Sequence, residues 1–313
     1  MRTHLVKSIG ITQKAYSKTS NTIKTNTMRY IFYDDFKPGL LKNDQVIDIS
    51  ETLDVKPYQT PQMILENFII NYETLKPKLE KKLETKGKPL SDVRLRQPVP
   101  KPSLFMCGIG GFGEGEGRKR PINFFIKGWN SIIGPNDTVV LPKTEARIFE
   151  HEAELAVVFG KQTSKVDPEK APDSIFGYTM MIDVSARGVP YSNGFWPQKS
   201  FDTFGPLGPV LVTKDEIPDP YNLQIKLWVD DVLRQDFNTD DMSHSLGEKI
   251  SMLSEVCTLN PGDIMACGTN HHGLGPMQDG ETVTIEIEQI GRMSVKVRDP
   301  YKREWNKAET IRP

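Results

Sequence analysis

The sequence predicts a mainly β, α+β chain: a small N-terminal α+β domain over residues 28–100, followed by a large mixed or antiparallel β domain over 101–300. Three observations predict it. The longer C-terminal part carries a series of short apolar runs of strand length, several of them separated by Pro-Asn-Asp, Pro-Gly-Asp and Gln-Asp-Gly turn signals. Pro 23 and Gly 24 suit many turns better than a helical bundle. Strands and helix-length segments do not alternate regularly and no repeat is present, which argues against a doubly wound parallel sheet.

Residues 1–27 stand apart. They hold Arg2, Lys7, Lys14, Lys18 and Lys24, many hydroxyl side chains and no acid, the composition of an organelle-targeting segment or of a disordered extension. From Met28 the pattern changes. Tyr30–Tyr33 and Val46–Ile49 read as strands, and Pro61 to Lys86 carries apolar residues at helical spacing, with a break expected near Pro77. Arg94 to Pro102 is an extended, proline-rich linker and marks the domain boundary. The predicted strands beyond it are 104–107, 124–126, 138–141, 152–159, 175–183, 210–213, 224–229, 264–267, 282–287 and 293–297. One amphipathic helix fits Ser245 to Leu259, stopped by Asn260-Pro261-Gly262. Residues 301–313 form a C-terminal tail.

Composition excludes several classes. Lys+Arg 40 against Asp+Glu 41 gives a net charge of -1, which argues against electrostatic binding to nucleic acid or to an anionic membrane. No apolar run approaches the roughly 20 residues that span a bilayer. Three cysteines (Cys107, Cys257, Cys267) exclude a disulfide framework and a four-cysteine zinc site. They fit a reducing compartment, the cytoplasm, or the mitochondrion if residues 1–27 are a transit segment.

The chemistry concentrates around Phe149-Glu150-His151-Glu152-Ala153-Glu154-Leu155. Read as one strand, this puts Glu150, Glu152 and Glu154 on one face and His151, Ala153 and Leu155 on the apolar other. Clustered carboxylates repel and are costly to desolvate unless a cation neutralises them. The reading is therefore either a hard divalent cation held by oxygen ligands or a solvated acidic edge. Asp183, at the end of the apolar run 175–182, is either a third ligand or a turn cap.

Several motifs in order resemble the fumarylacetoacetate hydrolase-like family. They are Lys127 with Ile132-Ile133-Gly134-Pro135 and Leu141-Pro142; Glu152-x-Glu154 before Leu-Ala-Val-Val-Phe-Gly; and Gly177-Tyr178-Thr179 running into Asp183-Val184-Ser185-Ala186-Arg187. Lys199 to Pro206, Pro261-Gly262-Asp263, Gly268-Thr269 and Ile290-Gly291 follow. The resemblance spans about residues 103–298. It implies a mixed β-roll with a metal site at its open end and a homodimer. It further implies a 2-oxo acid or acylpyruvate-like substrate, and Mg2+ or Mn2+ held by Glu152, Glu154 and Asp183. It makes Lys199 the active-site lysine and Thr269 a contact to the substrate carboxylate. Arg187 and Lys127 become substrate-binding candidates, although Pro190 stands where family members often have Gln.

One departure matters. Hydrolases of this family carry Gly-x-Asn-Tyr-x-x-His-x-x-Glu after the strand matching 104–107, and its His and Glu activate water. Here Glu114 falls on the His position and Gly117 on the Glu position. The base is therefore expected to come from Glu114 or Glu116 on a mobile glycine-rich lid, or from His271 or His272 after Thr269. The formal G-x-G-x-x-G over 108–113 lacks the helix that dinucleotide binding needs. The resulting reading is a metal-dependent C–C hydrolase. The alternatives are a lyase or isomerase on a 2-oxo acid, or a catalytically silent metal-binding roll.

Overall fold

The structure, a computed structural model, describes residues 28–114, 119–190 and 194–306. The expectations for residues 1–27 and for Glu116 lie outside the described residues. So does most of the expected tail; its first part is not loose. Arg303 donates to the carbonyls of Pro142 and Thr144, and Trp305 packs edge-on against Phe149 at 5.7 Å.

Among the described residues, a twelve-stranded mixed sheet runs through the whole molecule. Its central strands are Arg29–Tyr33, Gly205–Thr213, Ile175–Ile182, Ala153–Phe159, Ile264–Ala266 and Phe105–Ile109, in that order. Ile264–Ala266 pairs parallel with Phe105–Ile109, and the other neighbours in this row are antiparallel. A five-stranded sheet of Val232–Asn238, Gln224–Val229, Thr282–Ile287, Gly291–Arg298 and Thr138–Val140 packs against it. The predicted mixed β-roll is the observed architecture.

Ala153–Phe159 and Ile175–Ile182 are buried along their whole length. Both faces of Ala153–Phe159 meet apolar partners: Leu155, Val157 and Phe159 lie in the core between the sheets, and Ala156 and Val158 in the core shared with the N-terminal helices. Two-sided burial explains why these runs are continuously apolar rather than alternating. Gly177 is required by the close pairing, since a Cβ there would stand 2.1 Å from the carbonyl oxygen of Val212.

Residues 28–100 and 101–300, the two domains we propose, share this sheet through the pairing of Arg29–Tyr33 with Gly205–Thr213. The extended linker between them lies against the sheet. Leu95–Arg96 pairs with Arg29–Tyr33, and Val99 is buried. Its apolar side chains supply the reason: they complete the core beneath the sheet edge.

The N-terminal helix breaks at Asn71, not near Pro77. It forms Pro61–Ile70 and Tyr72–Lys82, with Pro77 inside the second piece. Asn71 caps the first piece by donating from its side chain to the Asn67 carbonyl. The later helix, Leu246–Val256, opens with a capping box in which Ser245 accepts from the Glu248 N–H and Glu248 accepts from the Ser245 N–H. Ser245→Ala is expected to cost about 1 kcal/mol. Urea unfolding measures this, and an unchanged midpoint would contradict the assigned cap. The Pro261-Gly262-Asp263 motif has a structural use. Asp263 accepts from Leu104 N–H at 2.7 Å, from Ser103 Oγ at 2.6 Å and from Asn260 N–H at 2.8 Å, which ties the entry of two adjacent parallel strands together.

Candidate metal centre and active site

The chain does not run straight through the acidic motif. Ile148–Glu150 pairs with Ser185–Arg187 in a separate two-stranded ribbon, and the buried sheet strand starts only at Ala153. His151 and Glu152 form the bend between them. The expected single strand with three carboxylates on one face is therefore corrected. Glu152 and Glu154 turn towards Asp183, whereas Glu150 stays in the ribbon and receives Arg187 Nε at 2.6 Å.

The solvated-edge alternative is also overturned, because Glu150, Glu152, Glu154 and Asp183 are all buried. Glu152, Glu154 and Asp183 each offer an oxygen, and these oxygens lie within 4.8 Å of one another. Among the described residues no other set of three His, Cys, Asp or Glu side chains gathers this way. Three neighbouring cations oppose the four carboxylates. Lys127 Nζ reaches Asp183 Oδ1 at 2.6 Å. Lys199 Nζ bridges Asp183 Oδ2 and Glu152 Oε2, both at 2.7 Å. Arg187 joins Glu150 and Glu152. Both lysines would pass for surface residues in isolation, yet both are buried, since carboxylates at hydrogen-bond range offset the loss of water.

The charges set the titration of the site. Burial works to raise Glu152, but the Lys199 ammonium and the Arg187 guanidinium outweigh it and hold the carboxyl well below its ordinary range. Lys199 is held above its ordinary value, because Asp183 and Glu152 outweigh its desolvation. Glu154 goes the other way. Burial first, then the negative charges of Asp183 and Glu152, push it well above an ordinary carboxylic acid. It accepts a hydrogen bond from the Gly268 N–H at 2.9 Å. Glu152, Glu154 and Asp183 form an oxygen donor set, and a divalent metal would supply the positive charge that lets Glu154 ionise beside the other two. The residues fit a metal.

Beside Glu152 lies a cavity of about 50 Å3, lined also by Arg187, Lys199, Thr269 and His271, with Gly108–Gly110 and the Phe125 and Phe195 rings as its walls. The two rings stack with centroids 5.4 Å apart, and Lys199 Nζ sits 5.5 Å over Phe125.

Glu114 and His271 were expected as alternatives, and the structure joins them. Glu114 Oε1 accepts from the His271 backbone N–H at 3.0 Å and contacts His271 Nδ1. His272 is exposed and does not line the cavity; its N–H bonds to Asn270 Oδ1. The described half of the lid is anchored rather than loose. Gly113 N–H donates to the Asp241 carbonyl, Glu114 N–H to Asp241 Oδ2, and Ser243 N–H to the Gly111 carbonyl. Gly111 packs directly on the Thr269 loop, where a Cβ would stand 2.1 Å from the Cys267 oxygen, and Gly268 adopts φ +86° against it.

Sequence reasoning passed over three residues here. Gln235 is buried between Ala153, Thr269 and Asn270. Asp241 ties the lid to Asn270, whose side chain donates to Asp241 Oδ2 at 3.0 Å. Lys249 is buried with its ammonium 3.0 Å from the Cys267 carbonyl, and desolvation pushes it below an ordinary lysine. For Gln235 and Lys249 the available signal was a polar residue at an inward strand or helix position, and it is a weak one; Asp241, in the turn Thr239–Asp241, carried none.

Known proteins with the same fold can now be set beside this geometry. The sequence pattern described as "Fumarylacetoacetate (FAA) hydrolase C-terminal" matches residues 113–298. A maleylpyruvate hydrolase of Aquipseudomonas alcaligenes is 31% identical over 293 residues, covering 87% of this chain and 99% of that protein. The solved maleylpyruvate hydrolase of Sphingobium sp. SYK-6, in complex with manganese(II) ion and pyruvate, has a TM-score of 0.79 at 36% identity over 87% of this chain and 99% of its own. A 5-carboxymethyl-2-hydroxymuconate delta-isomerase from Mycobacterium smegmatis has a TM-score of 0.70 at 29% identity, over 87% of this chain and all of its own. With a family pattern that matches more than half its length, and with relatives aligned from end to end, the chain belongs to the fumarylacetoacetate hydrolase family.

Proposed function

We propose that this protein is a Mg2+- or Mn2+-dependent hydrolase that cleaves the C–C bond of an acylpyruvate, maleylpyruvate being the leading candidate, to a carboxylic acid and pyruvate. The observation that carries the reading is the single cavity joining Glu152 of the carboxylate trio to His271 of the Glu114–His271 pair. The hydrolase relatives, one with manganese and pyruvate bound, support the substrate class. The active form we propose is a homodimer in a reducing compartment.

Glu152, Glu154 and Asp183 would hold the metal, whose Lewis acidity would stabilise negative charge developing on the 2-oxo oxygen. Lys127 and Arg187 hold Asp183 and Glu152 in place, and Arg187 also lines the cavity that receives the substrate. Lys199 brings a fixed ammonium to the same cavity, worth most where water is excluded. Thr269 presents its hydroxyl to the substrate carboxylate.

His271, oriented by Glu114, takes a proton from water. The hydroxide oxygen bonds to the distal carbonyl carbon, and the bond from that carbon to the methylene breaks. The electron pair stays on the pyruvate fragment as an enolate, which regains the proton at carbon from His271, while the other fragment leaves as a carboxylic acid. The pair thus restores in another arrangement the His-Glu function that the sequence lacks at position 114. An isomerase on a 2-hydroxymuconate-type acid is the second reading, favoured by the structural likeness to the Mycobacterium smegmatis enzyme.

A turnover assay over acylpyruvates and 2-oxo-3-deoxy acids tests the assignment. Pyruvate release is expected with added Mn2+ or Mg2+ and its loss with a chelator. Turnover that is indifferent to the chelator, or confined to a double-bond shift, contradicts it.

A further inference from the structure

Gln235 sits on the Val232–Asn238 strand and is fully buried. Its amide is held by two backbone groups of opposite polarity. Oε1 accepts from the Ala153 N–H at 3.1 Å, and Nε2 donates to the Asn270 carbonyl at 2.7 Å. Flipping the amide would set oxygen against a carbonyl and NH2 against an N–H, so its orientation is fixed by the backbone. His151 Nδ1, 3.3 Å from Oε1, completes the set.

That fixed orientation has a consequence for Thr269. The second Nε2 hydrogen points at Thr269 Oγ1 at 2.9 Å, so the hydroxyl accepts there. Its own proton must go elsewhere. The intramolecular choice is the Asn270 carbonyl at 3.3 Å, which already accepts the shorter bond from Gln235. The other choice is the cavity that Thr269 lines beside Arg187 and Lys199.

We propose that Gln235 is a positioning residue that commits the Thr269 hydroxyl to donating, and that the carboxylate of the bound 2-oxo acid takes this donation over from the long bond to the Asn270 carbonyl. The inference rests on the proposed substrate class and deepens it. The residue acts without touching substrate, through a hydroxyl whose direction it sets. A hydrogen bond to a charged group adds about 1.5–3 kcal/mol, roughly a tenfold to hundredfold change in affinity.

The test is calorimetric titration of the Mn2+-loaded protein with pyruvate as the probe. Gln235→Met, neutral and of similar shape, frees the Asn270 carbonyl, and the Thr269 hydroxyl is expected to turn to it. Pyruvate Kd should weaken about tenfold or more, with Mn2+ Kd unchanged. Thr269→Val should weaken it similarly, and Gln235→Met should add nothing in that background. Should Gln235→Met fail to fold, Gln235→Leu, which likewise has no donor for Thr269, should weaken pyruvate similarly. Unchanged pyruvate Kd in the Gln235 variants, additive losses in the double variant, or a wild type that does not bind pyruvate overturns the inference. A wild type that binds pyruvate but cleaves no acylpyruvate counts against the hydrolase reading alone.

Discussion

Glu154→Gln is expected to abolish Mn2+ binding in calorimetry and to lower turnover by more than about 10²-fold, more than loss of an outer-shell partner costs, while the protein stays folded. The expectation follows from the charges around it. Asp183 is balanced by Lys127 and Lys199, and Glu152 by Lys199 and Arg187. Among the described residues Glu154 has no such ion pair, and it is pushed up by burial and by those two neighbours. Gln keeps an acceptor for the Gly268 N–H and removes the charge. Without metal, the variant should therefore be at least as stable as the wild type. With metal, the wild type alone should gain, by about 2.7 kcal/mol at a hundredfold excess over Kd. Thermal unfolding with and without Mn2+ reads both signs. A variant that still shifts with Mn2+, or a metal-free variant that collapses, would show that Glu154 serves another role.

The second large effect concerns the proton. Glu114→Gln and His271→Asn are each expected to depress kcat by about 10²-fold or more, within the range of general acid–base catalysis. The Mn2+ affinity should stay intact, because neither residue belongs to the carboxylate trio. Since Nδ1 of His271 meets Glu114 Oε1, the two act as one unit, and the double variant should be no slower than the slower single one. His272→Asn should leave kcat unchanged, because that side chain is exposed and lies off the cavity. Additive losses in the double variant, or a strong effect at His272, would remove the pair from the mechanism.

How far the residues themselves announced this arrangement depends on what each must satisfy. The buried strands Ala153–Phe159 and Ile175–Ile182 were legible because two-sided burial demands unbroken apolar runs. The helix over Leu246–Val256 was legible because its cap, apolar stripe and stop signal agree. The strand Val232–Asn238 was not. Its inward positions include Gln235, chosen for its amide rather than for apolar packing, and that substitution breaks the alternation a strand would display. The strand Lys37–Lys42 was hidden in the same way by Pro38 and flanking lysines.

At the site, the clustering of Glu152, Glu154 and Asp183 followed from motif order. The bend at His151–Glu152 that separates Glu150 from them did not, because it depends on pairing between Ile148–Glu150 and Ser185–Arg187 far along the chain. The union of Glu114 with His271 is a contact across 157 positions. Local sequence carried both residues as candidates but not the contact between them.

In the proposed reaction, water enters the acyl product as a C–C bond breaks. Incubation of the Mn2+-loaded protein with maleylpyruvate in H2¹⁸O, followed by mass spectrometry, tests this directly. Hydrolysis predicts equal amounts of pyruvate and of the four-carbon acid, with one ¹⁸O from solvent in the newly formed carboxylate. Conversion to an isomer of unchanged mass, or loss of CO2 with no cleavage to pyruvate, would contradict it.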